Sequence, residues 1–394
     1  MAKTITRTVW ILSLVSLFTD TASEMLYPVM PLYLQQIGFS IAAIGMLEGF
    51  AEAVAGLSKG YFGKWSDTLG KRLPFVQLGY TLSALSKPLI ALFTAPGWIF
   101  SIRALDRVGK GIRTGARDAL LSDEATPLTK ATVFGFHRSM DTLGATIGPA
   151  LALAFLYFYP GEYKLLFYIA FLPGVLAILA SFLLKEKRSL PNGAFKPAAV
   201  FAFVKYWKHS PVAYKKLVIG LLAFTLVNSS DVFLLLKMKE AGINDTILIG
   251  VYIFYNAVYA LAAYPTGILA DKIGLKKMLV AGLLLFALAY AAMAYVTTFG
   301  GFLLAFFLYG LYAAATEGVG KAWISNLVHK NETATAIGTF TGFQSIAALL
   351  ASTFAGWLWF SFGSFLVFIS ASFVACLVVL YIYTSIKKPV YAQS

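Results

Sequence analysis

Charged residues recur inside stretches of this sequence that are otherwise apolar, and several of them fall on common helical faces. Asp20 and Glu24 are four residues apart, and so are Glu48 and Glu52. Positions 103, 106, 107, 110, 113 and 117 also follow helical spacing and predict a charged stripe. Because a charge inside a bilayer is costly, such residues indicate the binding of a polar solute or the transfer of protons.

The most central of these residues form the predicted site for solute and proton handling. A carboxylate, with Asp20 or Glu24 as the first candidates, would take up a proton on one side of the membrane and release it on the other as its partners change. The alternative is that the same residues form buried pairs that only fix helix register. The full set is Asp20, Glu24, Arg103, Asp106, Arg107, Lys110, His137, Arg138, Asp141, Asn228, Asp231, Glu317 and Lys321.

The composition is that of a membrane protein. Apolar residues make up 59% of the 394 positions and charged residues only 13%. A soluble protein carries about 25% charged residues, and a bilayer can cover the apolar surface that water cannot. The net charge of +14 would suit nucleic acid. However, Lys and Arg cluster at the ends of apolar segments, so we expect contact with membrane lipids and none with nucleic acid.

Residue patterns typical of an enzyme or a cofactor site are missing from the sequence. Cys376 is the only cysteine, and the three histidines form no cluster with it, so no metal site is predicted. The string GKGIRTGAR is rich in glycine but lacks the spacing of a P-loop and a preceding strand. We therefore expect neither a cofactor nor catalysis.

Twelve stretches of the chain are candidates for bilayer-spanning helices, each of which needs about 20 mostly apolar residues. Lys and Arg concentrate at one set of segment ends, which predicts that both termini lie in the cytoplasm. The predicted fold is an all-α membrane protein with twelve transmembrane helices in the cytoplasmic (inner) membrane. The stretches lie near 10–36, 42–62, 73–95, 97–121, 130–158, 165–184, 214–238, 245–270, 276–297, 299–328, 332–361 and 363–385.

A long polar stretch divides these spans into six and six. We predict an N-terminal six-helix bundle over 1–188, a cytoplasmic linker over 189–213 and a C-terminal six-helix bundle over 214–394. The aromatic and basic segment 198–207 is a candidate amphipathic helix on the anionic surface of the membrane. The alternative is an ordinary solvated linker.

The two halves repeat each other at a shift of about 204–211 residues. The pattern that begins at Gly63 and contains Asp67 returns at Gly267 and Asp271. DRVGK in span four likewise returns as EGVGK in span ten, from Asp106 and Glu317 respectively. Parallel repeats of six spans are typical of a transporter whose site lies at the interface between the halves.

With these motifs the sequence resembles the major facilitator superfamily over essentially its whole length. The segment GKWSDTLGKR is similar to the family's cytoplasmic signature between helices two and three, and GILADKIGLKK is its counterpart in the second half. The resemblance implies gating contacts that lock the outward-facing state and break when the halves rock. The gating residues would be Gly63, Asp67, Gly70, Lys71, Arg72, Gly267, Asp271, Gly274 and Lys277.

Two further segments carry the resemblance. In span five, Gly135, Gly144, Gly148 and Pro149 resemble the family's antiporter signature, which implies export, although its closing glycine pair is absent. The alternative is close helix packing through small residues. In span four, Arg103 matches an arginine that the family ties to proton coupling, but Asp106 and Arg107 replace the usual glutamine and glycine. The resemblance also implies that spans one, four, seven and ten line the cavity.

The predicted function is proton-coupled efflux, by antiport, of an amphiphilic or anionic small molecule. Charges of both signs and aromatic residues such as Phe224, Tyr255, Tyr309 and Tyr312 suit an amphiphile, and the basic stripe suits an anion. Two alternatives remain open: proton-coupled import of an organic anion, and export of a cationic drug or metal ion. A monomer is expected to suffice, because twelve spans already enclose one path.

Overall fold

The structure, a computed structural model, describes residues 4–186 and 202–386, and the regular secondary structure in those ranges is entirely helical. This confirms the all-α prediction. A 3₁₀ turn, Lys330–Glu332, precedes α14. The α-helices are α1 (Arg7–Glu24), α2 (Met30–Gln36), α3 (Ile41–Leu69), α4 (Leu73–Ile90), α5 (Pro96–Asp123), α6 (Lys130–Phe158), α7 (Tyr163–Ser181), α8 (Ala202–His209), α9 (Val212–Thr225), α10 (Val232–Glu240), α11 (Asp245–Ile273), α12 (Leu275–Tyr295), α13 (Phe299–Asn326), α14 (Thr333–Phe362) and α15 (Ser364–Ser385).

Seven helices in the described ranges are long and apolar enough, by length and composition, to cross a bilayer. They include α6, α7 and α11 to α15, which correspond to seven of the predicted spans. The remaining five predicted spans are interrupted or are more polar, as in α5 with its charged stripe. The count of twelve therefore stays a prediction.

Two stretches that the sequence analysis treats as single spans each contain a break. The first divides into α1 and α2 at residues 25–29, and the seventh divides into α9 and α10 at residues 226–231. Pro28 lies in the first break, where it removes an amide donor. The second break contains no proline. Its sequence Asn-Ser-Ser-Asp, residues 228–231, favours local hydrogen bonds over a continuous helix.

The ends of α3 and α11 show the sequence repeat as structure. Ser40 caps the start of α3 by accepting a hydrogen bond from the amide of Ala43, and Asn244 caps α11 by accepting one from the amide of Ile247. Gly70 and Gly274, the glycines of the two gating motifs, end these helices at φ values of 61° and 99°. Only glycine adopts such values readily, so the motif glycines fix where each helix stops.

The short helix α8 lies in the predicted linker, of which residues 189–201 and the boundary at 188 fall outside the described ranges. Tyr206 is buried, and the ring of Trp207 lies 6.1 Å from the ring of Phe343 in α14. Lys205 and Lys208 are exposed. A helix is thus present over Ala202–His209, with Tyr206 and Trp207 packed on protein, and its role at a membrane surface stays a prediction.

By its internal contacts the chain divides into two compact units, each of which contains one short segment from the other half of the sequence. Unit 1 contains Met1–Glu124, Met140–His209 and His329–Ser345, and unit 2 contains the remainder. The start of α14 therefore belongs to unit 1, whereas the start of α6 belongs to unit 2. The predicted division into bundles 1–188 and 214–394 stays a prediction.

Within unit 1, two glycines of the predicted antiporter signature let α6 approach α1 closely. A Cβ atom on Gly144 would lie 2.5 Å from the carbonyl oxygen of Leu17, and one on Gly148 would lie 2.7 Å from that of Thr21. Pro149 follows inside the helix and is buried. Real Cβ atoms do not approach backbone oxygens this closely, so the packing of α6 on α1 requires glycine at both positions.

Gly144→Val should therefore destabilise the protein. Overpacking of a core costs about 1–3 kcal/mol. Since the nearest atoms at Gly144 belong to backbone, we expect the Tm of the purified protein to fall by roughly 2–4 °C. Gly45→Ala is the matched control, because no atom lies within 4 Å of a Cβ there. Alanine should leave that Tm unchanged or raise it. Equal Tm changes in the two variants would contradict the close packing.

Candidate functional site

The first gating motif forms a contact between the end of α3 and the start of α14, inside unit 1. Asp67 Oδ2 accepts hydrogen bonds of 2.6 Å from both the amide nitrogen and Oγ1 of Thr335. Gly63, one helical turn earlier, packs against the carbonyl group of Ala334, which lies 2.5 Å from where a Cβ would be. The carboxylate thus satisfies a free amide at a helix N-terminus, where the helix dipole favours negative charge.

Arg72 is the centre of a second set of contacts in this motif. Its guanidinium lies 3.3 Å from Asp67 Oδ1 and 3.1 Å from Asp123 Oδ2, and it donates to the carbonyl oxygen of Lys330 at 2.9 Å. Lys71, the neighbouring motif residue, is exposed. Arg72 therefore joins α3, α5 and the 3₁₀ turn before α14, whereas Lys71 makes no comparable approach in the described structure.

Glu186 completes the first gating motif, and sequence reasoning missed it. Its carboxylate accepts hydrogen bonds from the amide of Arg72 at 2.6 Å and from that of Leu73 at 3.0 Å. It thus caps the start of α4 from 113 positions away along the chain. No local pattern in the sequence signals a cap supplied from such a distance.

The second gating motif repeats the first contact inside unit 2. Asp271 accepts hydrogen bonds from the amides of Ala131 and Thr132, at 3.1 and 2.7 Å, and from Thr132 Oγ1 at 2.6 Å. Gly267 packs against the backbone of α6 at Ala131 and Gly135. Gly135 therefore belongs to this contact, although the sequence analysis grouped it with the glycines that pack on α1.

The basic residues of the second motif differ from those of the first. Lys277 is exposed, whereas Lys276 donates to the carbonyl oxygens of Tyr383 and Ile386 at 2.8 and 2.6 Å, at the end of α15. A cation at that position stabilises a helix C-terminus. The doubled aspartate contact is thus shared by the two halves, while the arginine contact belongs to the first alone.

The predicted set for solute and proton handling falls into several separate groups. Unit 1 contains a carboxyl pair and an ion-pair network, and unit 2 contains an ion pair and a polar group at the break of span seven. The groups are, in that order, Asp20 with Asp141; Arg103, Asp106 and Arg107; Arg138 with Glu317; and Asn228 with Asp231.

The carboxyl pair lies between α1 and α6. The side chains of Asp20 and Asp141 lie close enough to interact electrostatically. Ser16 donates from Oγ to Asp141, and Arg117 Nη1 lies 4.0 Å from the same carboxylate. Arg117 makes its shorter ion pair, 3.0 Å, with Asp118. Two carboxyl groups in contact cannot both be ionised without a large cost, so this arrangement is chemically suited to hold one shared proton.

The charged stripe of α5 is neutralised by acidic residues on α3. Arg103 donates two hydrogen bonds to Glu48, at 3.0 and 2.9 Å. Arg107 lies 3.6 Å from Glu48 and 3.5 Å from Glu52. Asp106 is 3.6 Å from Arg103 on the same helix. A bidentate arginine–carboxylate pair fixes both partners in orientation, so these contacts set the register of α3 against α5.

Lys87 on α4 is a buried cation that the sequence analysis did not select. Its Nζ lies 3.7 Å from Asp106 Oδ1 and donates to the carbonyl oxygen of Ser83 at 2.8 Å. Ser83 Oγ also donates to Asp106, at 2.6 Å. A cavity of about 30 Å³ adjoins this group, enough for water but not for an organic solute. It is lined by Ser23, Met30, Ser86, Lys87, Ile90, Ile102, Arg103 and Asp106.

The rest of the charged stripe is less uniform. Arg113 lies over the ring of Tyr80 at 4.7 Å, a cation–π contact between α5 and α4. Lys110 is exposed, and Glu24 on α1 is half-buried. Helical spacing alone predicts one continuous charged face. In the structure Arg103 pairs with a carboxylate, Arg113 packs on an aromatic ring and Lys110 is exposed.

In unit 2, the shortest ion pair joins α6 and α13. Arg138 Nη2 lies 2.6 Å from Glu317 Oε2. His137 on the adjacent position is buried, and Lys321, one turn after Glu317, is half-buried. The structure therefore brings together two predicted residues that are 179 positions apart.

The remaining predicted residues surround the break of span seven. Tyr309 Oη donates to Asp231 Oδ1 at 2.6 Å, and Asn228 Nδ2 donates to Tyr312 Oη at 2.9 Å. Both tyrosines lie on α13, whose repeat equivalent is the charged helix α5. In unit 2, α13 thus offers tyrosine hydroxyls to the break of span seven, whereas α5 in unit 1 offers arginines to α3.

Asp67 lies beyond residue 62, where span two is predicted to end, and its surroundings change its acidity. Burial raises the pKa of Asp67 from 3.8 to about 6, against the lowering effects of Arg72 and Thr335. A folded-state pKa above the unfolded value means that the folded protein binds this proton more tightly. The contribution to stability is complete below about pH 4 and is lost as the pH rises through 6.

Asp67→Asn should remove that pH dependence. The wild type should lose about 3 kcal/mol of stability relative to Asp67→Asn between pH 4 and pH 7, as a shift of about two pKa units implies. The Asn amide can still accept from Thr335, and Arg72 keeps Asp123 and Lys330. The measurement is Tm against pH for the two purified proteins. Parallel curves would show that Asp67 does not titrate in this range.

Comparison with known proteins places these features in one family. The sequence model of the Major Facilitator Superfamily matches residues 12–255 and 233–393. An uncharacterized MFS-type transporter of Methanocaldococcus jannaschii is 33% identical over 383 residues, covering 93% of this chain and 94% of that protein. The quinolone resistance protein NorA of Staphylococcus aureus is 26% identical over 175 residues, 43% of each chain.

The fold agrees with the sequence comparison. The human organic anion transporter MFSD10 superposes with a TM-score of 0.79 at 17% identity, covering 95% of this chain and 99% of that one. The superfamily consists of transporters rather than enzymes, in keeping with the predicted lack of catalysis. With a matching family model, a relative that is one-third identical along nearly its whole length and the same fold, this multi-pass membrane protein belongs to the major facilitator superfamily.

Proposed function

We propose that the protein is a secondary active transporter that exports an amphiphilic or anionic small molecule across the cytoplasmic membrane in exchange for protons. Membership of the superfamily supports transport of a small molecule. Coupling to protons and the direction of transport are the further steps, and they depend on the geometry of unit 1.

The observation that carries proton coupling is the contact between Asp20 and Asp141. A carboxyl pair that shares a proton changes its charge by one unit when the proton leaves, and its two members then repel each other. Ser16 and Arg117 are within reach to stabilise the ionised form. Release of the proton would therefore favour a different arrangement of α1 and α6, which is what coupling to a conformational change requires.

The glycine signature in α6 supports the same proposal from packing. A Cβ on Gly144 would lie 3.2 Å from the Cβ of Asp20, so the absence of a side chain at this position is what allows the carboxyl pair to form. The residues that resemble the antiporter signature and the residues proposed to bind the proton thus form one contact. NorA, named for quinolone resistance, is a relative over 43% of its length and supports export.

The ion-pair network of α3 and α5 limits the chemical class of molecule that the protein could transport. Lys87, Arg103 and Arg107 are balanced by Asp106, Glu48 and Glu52. An anionic cargo would have to compete with Glu48 or Glu52 for an arginine, and the three cations of the network are already balanced by three carboxylates. The network thus gives a purely anionic cargo no advantage, and an amphiphile is the proposed cargo class.

The two aspartate contacts at helix starts are proposed to act as gates. Asp67 on the start of α14 and Asp271 on the start of α6 each join elements from different halves of the sequence. In alternating access both contacts would form in one state and separate in the other. Their hydrogen bonds, worth about 1–3 kcal/mol each when an acceptor is charged, are of a size that a bound solute can offset.

Asp20→Asn and Asp141→Asn test the coupling. In proteoliposomes with an imposed pH gradient, using a panel of organic anions and cationic dyes, each variant should lose gradient-driven transport. Each should retain counterflow, the exchange of labelled for unlabelled solute, because exchange needs no net proton movement. If either variant still transports against its solute gradient, the carboxyl pair is not the coupling site. If a variant loses counterflow and also fails to fold, the substituted aspartate has only a structural role.

The orientation is proposed from the charge distribution, with both termini in the cytoplasm. In a Cys376→Ser background, Thr4→Cys and Lys164→Cys introduce single cysteines at exposed positions on opposite sides of the predicted membrane. In intact cells a membrane-impermeant maleimide should label Lys164→Cys directly. Thr4→Cys should be labelled only after the membrane is permeabilised, and the reverse pattern would invert the topology.

A further inference from the structure

The break between α9 and α10 leaves backbone acceptors of span seven without helical partners. The amides of Val227 and Asn228 donate back to Phe224 and Thr225. Among the described residues, however, no backbone amide donates to the carbonyls of residues 226–229. Such backbone is tolerated at membrane depth only where something polar compensates it. In the break of span one, by contrast, the carbonyl oxygen of Leu26 accepts from the amides of Val29 and Met30.

Side-chain oxygens gather at the same break. Asp231 starts α10 and accepts a hydrogen bond of 2.6 Å from Tyr309. Asn228 uses its amide nitrogen on Tyr312, which leaves its Oδ1 buried without a hydrogen bond. Ser229 is 5% exposed, and its Oγ lies near Tyr290 Oη without a well-formed hydrogen bond. Unpaired buried oxygens of this kind are costly and call for a ligand.

The aromatic rings around the break favour a small occupant over an organic cation. Tyr255, Tyr290, Tyr309 and Tyr312 are each at most 7% exposed. Ring centroids are 5.1 Å apart for Tyr255 and Tyr309, 5.2 Å for Tyr309 and Tyr312, and 4.0 Å for Phe286 and Tyr290. The rings cover one another's faces, so a quaternary ammonium has no open face on which to stack, whereas Asn228 Oδ1 and Ser229 Oγ lie buried without a hydrogen bond.

The charge at the break favours a cation with a single positive charge. Asp231 supplies one negative charge, and the next carboxylate, Glu317, is held by Arg138 at 2.6 Å. The negative pole of α9 and the positive pole of α10 both lie at the break and oppose each other, so the local charge comes from Asp231. One carboxylate with neutral carbonyl, amide and hydroxyl oxygens is a hard ligand set that suits an alkali cation.

We propose that the break of span seven is a binding site for a small monovalent cation, with Na⁺ as the ion. Its ligands would be drawn from Asp231, Asn228 Oδ1, Ser229 Oγ and the carbonyl groups of residues 226–229. The ion would compensate the acceptors that the interrupted helix exposes and would hold α9 and α10 in their present arrangement. This site is independent of the carboxyl pair in unit 1, and binding there does not require proton-coupled export.

The test is thermal unfolding of the purified protein at constant ionic strength. NaCl should replace choline chloride stepwise from 0 to 150 mM, with KCl as the comparison. We expect Na⁺ to raise the Tm by roughly 2–5 °C in a saturable manner, as a ligand that binds only the folded state does. Equal Tm values in all three salts would overturn the proposal. A response to choline but not to Na⁺ would overturn it as well and would assign the site to organic cations.

Variants locate the site and separate it from the proposed transport mechanism. Asp231→Asn should abolish the Na⁺-dependent shift, and Ser229→Ala should raise the half-saturating Na⁺ concentration at least tenfold. If Asp231→Asn does not fold, two other measurements test the site. Ser229→Ala should weaken the Na⁺ response, and Na⁺ binding to the wild type should broaden the ²³Na NMR line. Asp20→Asn is the matched control in unit 1 and should keep the Na⁺ response in full. A Na⁺ shift that survives in Ser229→Ala and Asp231→Asn would place the ion elsewhere.

Discussion

A charge inside an apolar helical chain must be compensated by an opposite charge, a helix terminus, a hydroxyl group or a proton. The first three are present in this protein, and the fourth is proposed for Asp20 and Asp141. Arg103 and Arg107 have carboxylates on a neighbouring helix. Asp20 and Asp141 have each other. Asp67 and Asp271 have helix starts, and Asp231 has a tyrosine. Each form of compensation has different consequences, because an ion pair fixes register whereas a shared proton can leave.

The same repeat therefore produces two different interiors. In both halves an aspartate accepts from the first turn of a helix, with a glycine one turn earlier to allow the approach. Beyond that contact the halves diverge: α5 carries arginines matched by glutamates on α3, whereas α13 presents tyrosine hydroxyls to Asn228 and Asp231. Duplication explains the shared aspartate contact, and the halves differ in the side chains that surround it.

Much of the fold and part of the site could be predicted from the sequence. Hydropathy located the helices, and the repeat identified Asp67 and Asp271 and the glycines beside them. Helical spacing also grouped Arg103 with Arg107 correctly, but periodicity describes one face of one helix and says nothing about which residue on another helix faces it. Glu186 and Lys87 were missed for that reason. The break at residues 226–231 was missed because hydropathy averages over a window that a few polar residues barely change.

α6 is where these different interactions meet. It carries Gly135 and Arg138 in unit 2, then Asp141, Gly144 and Gly148 in unit 1. Arg138 and Asp141 are three residues apart, about 4.5 Å along the helix axis. Under the proposed function, a proton that leaves Asp141 adds a negative charge within one turn of Arg138, which then competes with Glu317 for that cation. α6 thus carries both the proposed proton site and a cation that pairs with Glu317, three residues apart on one helix.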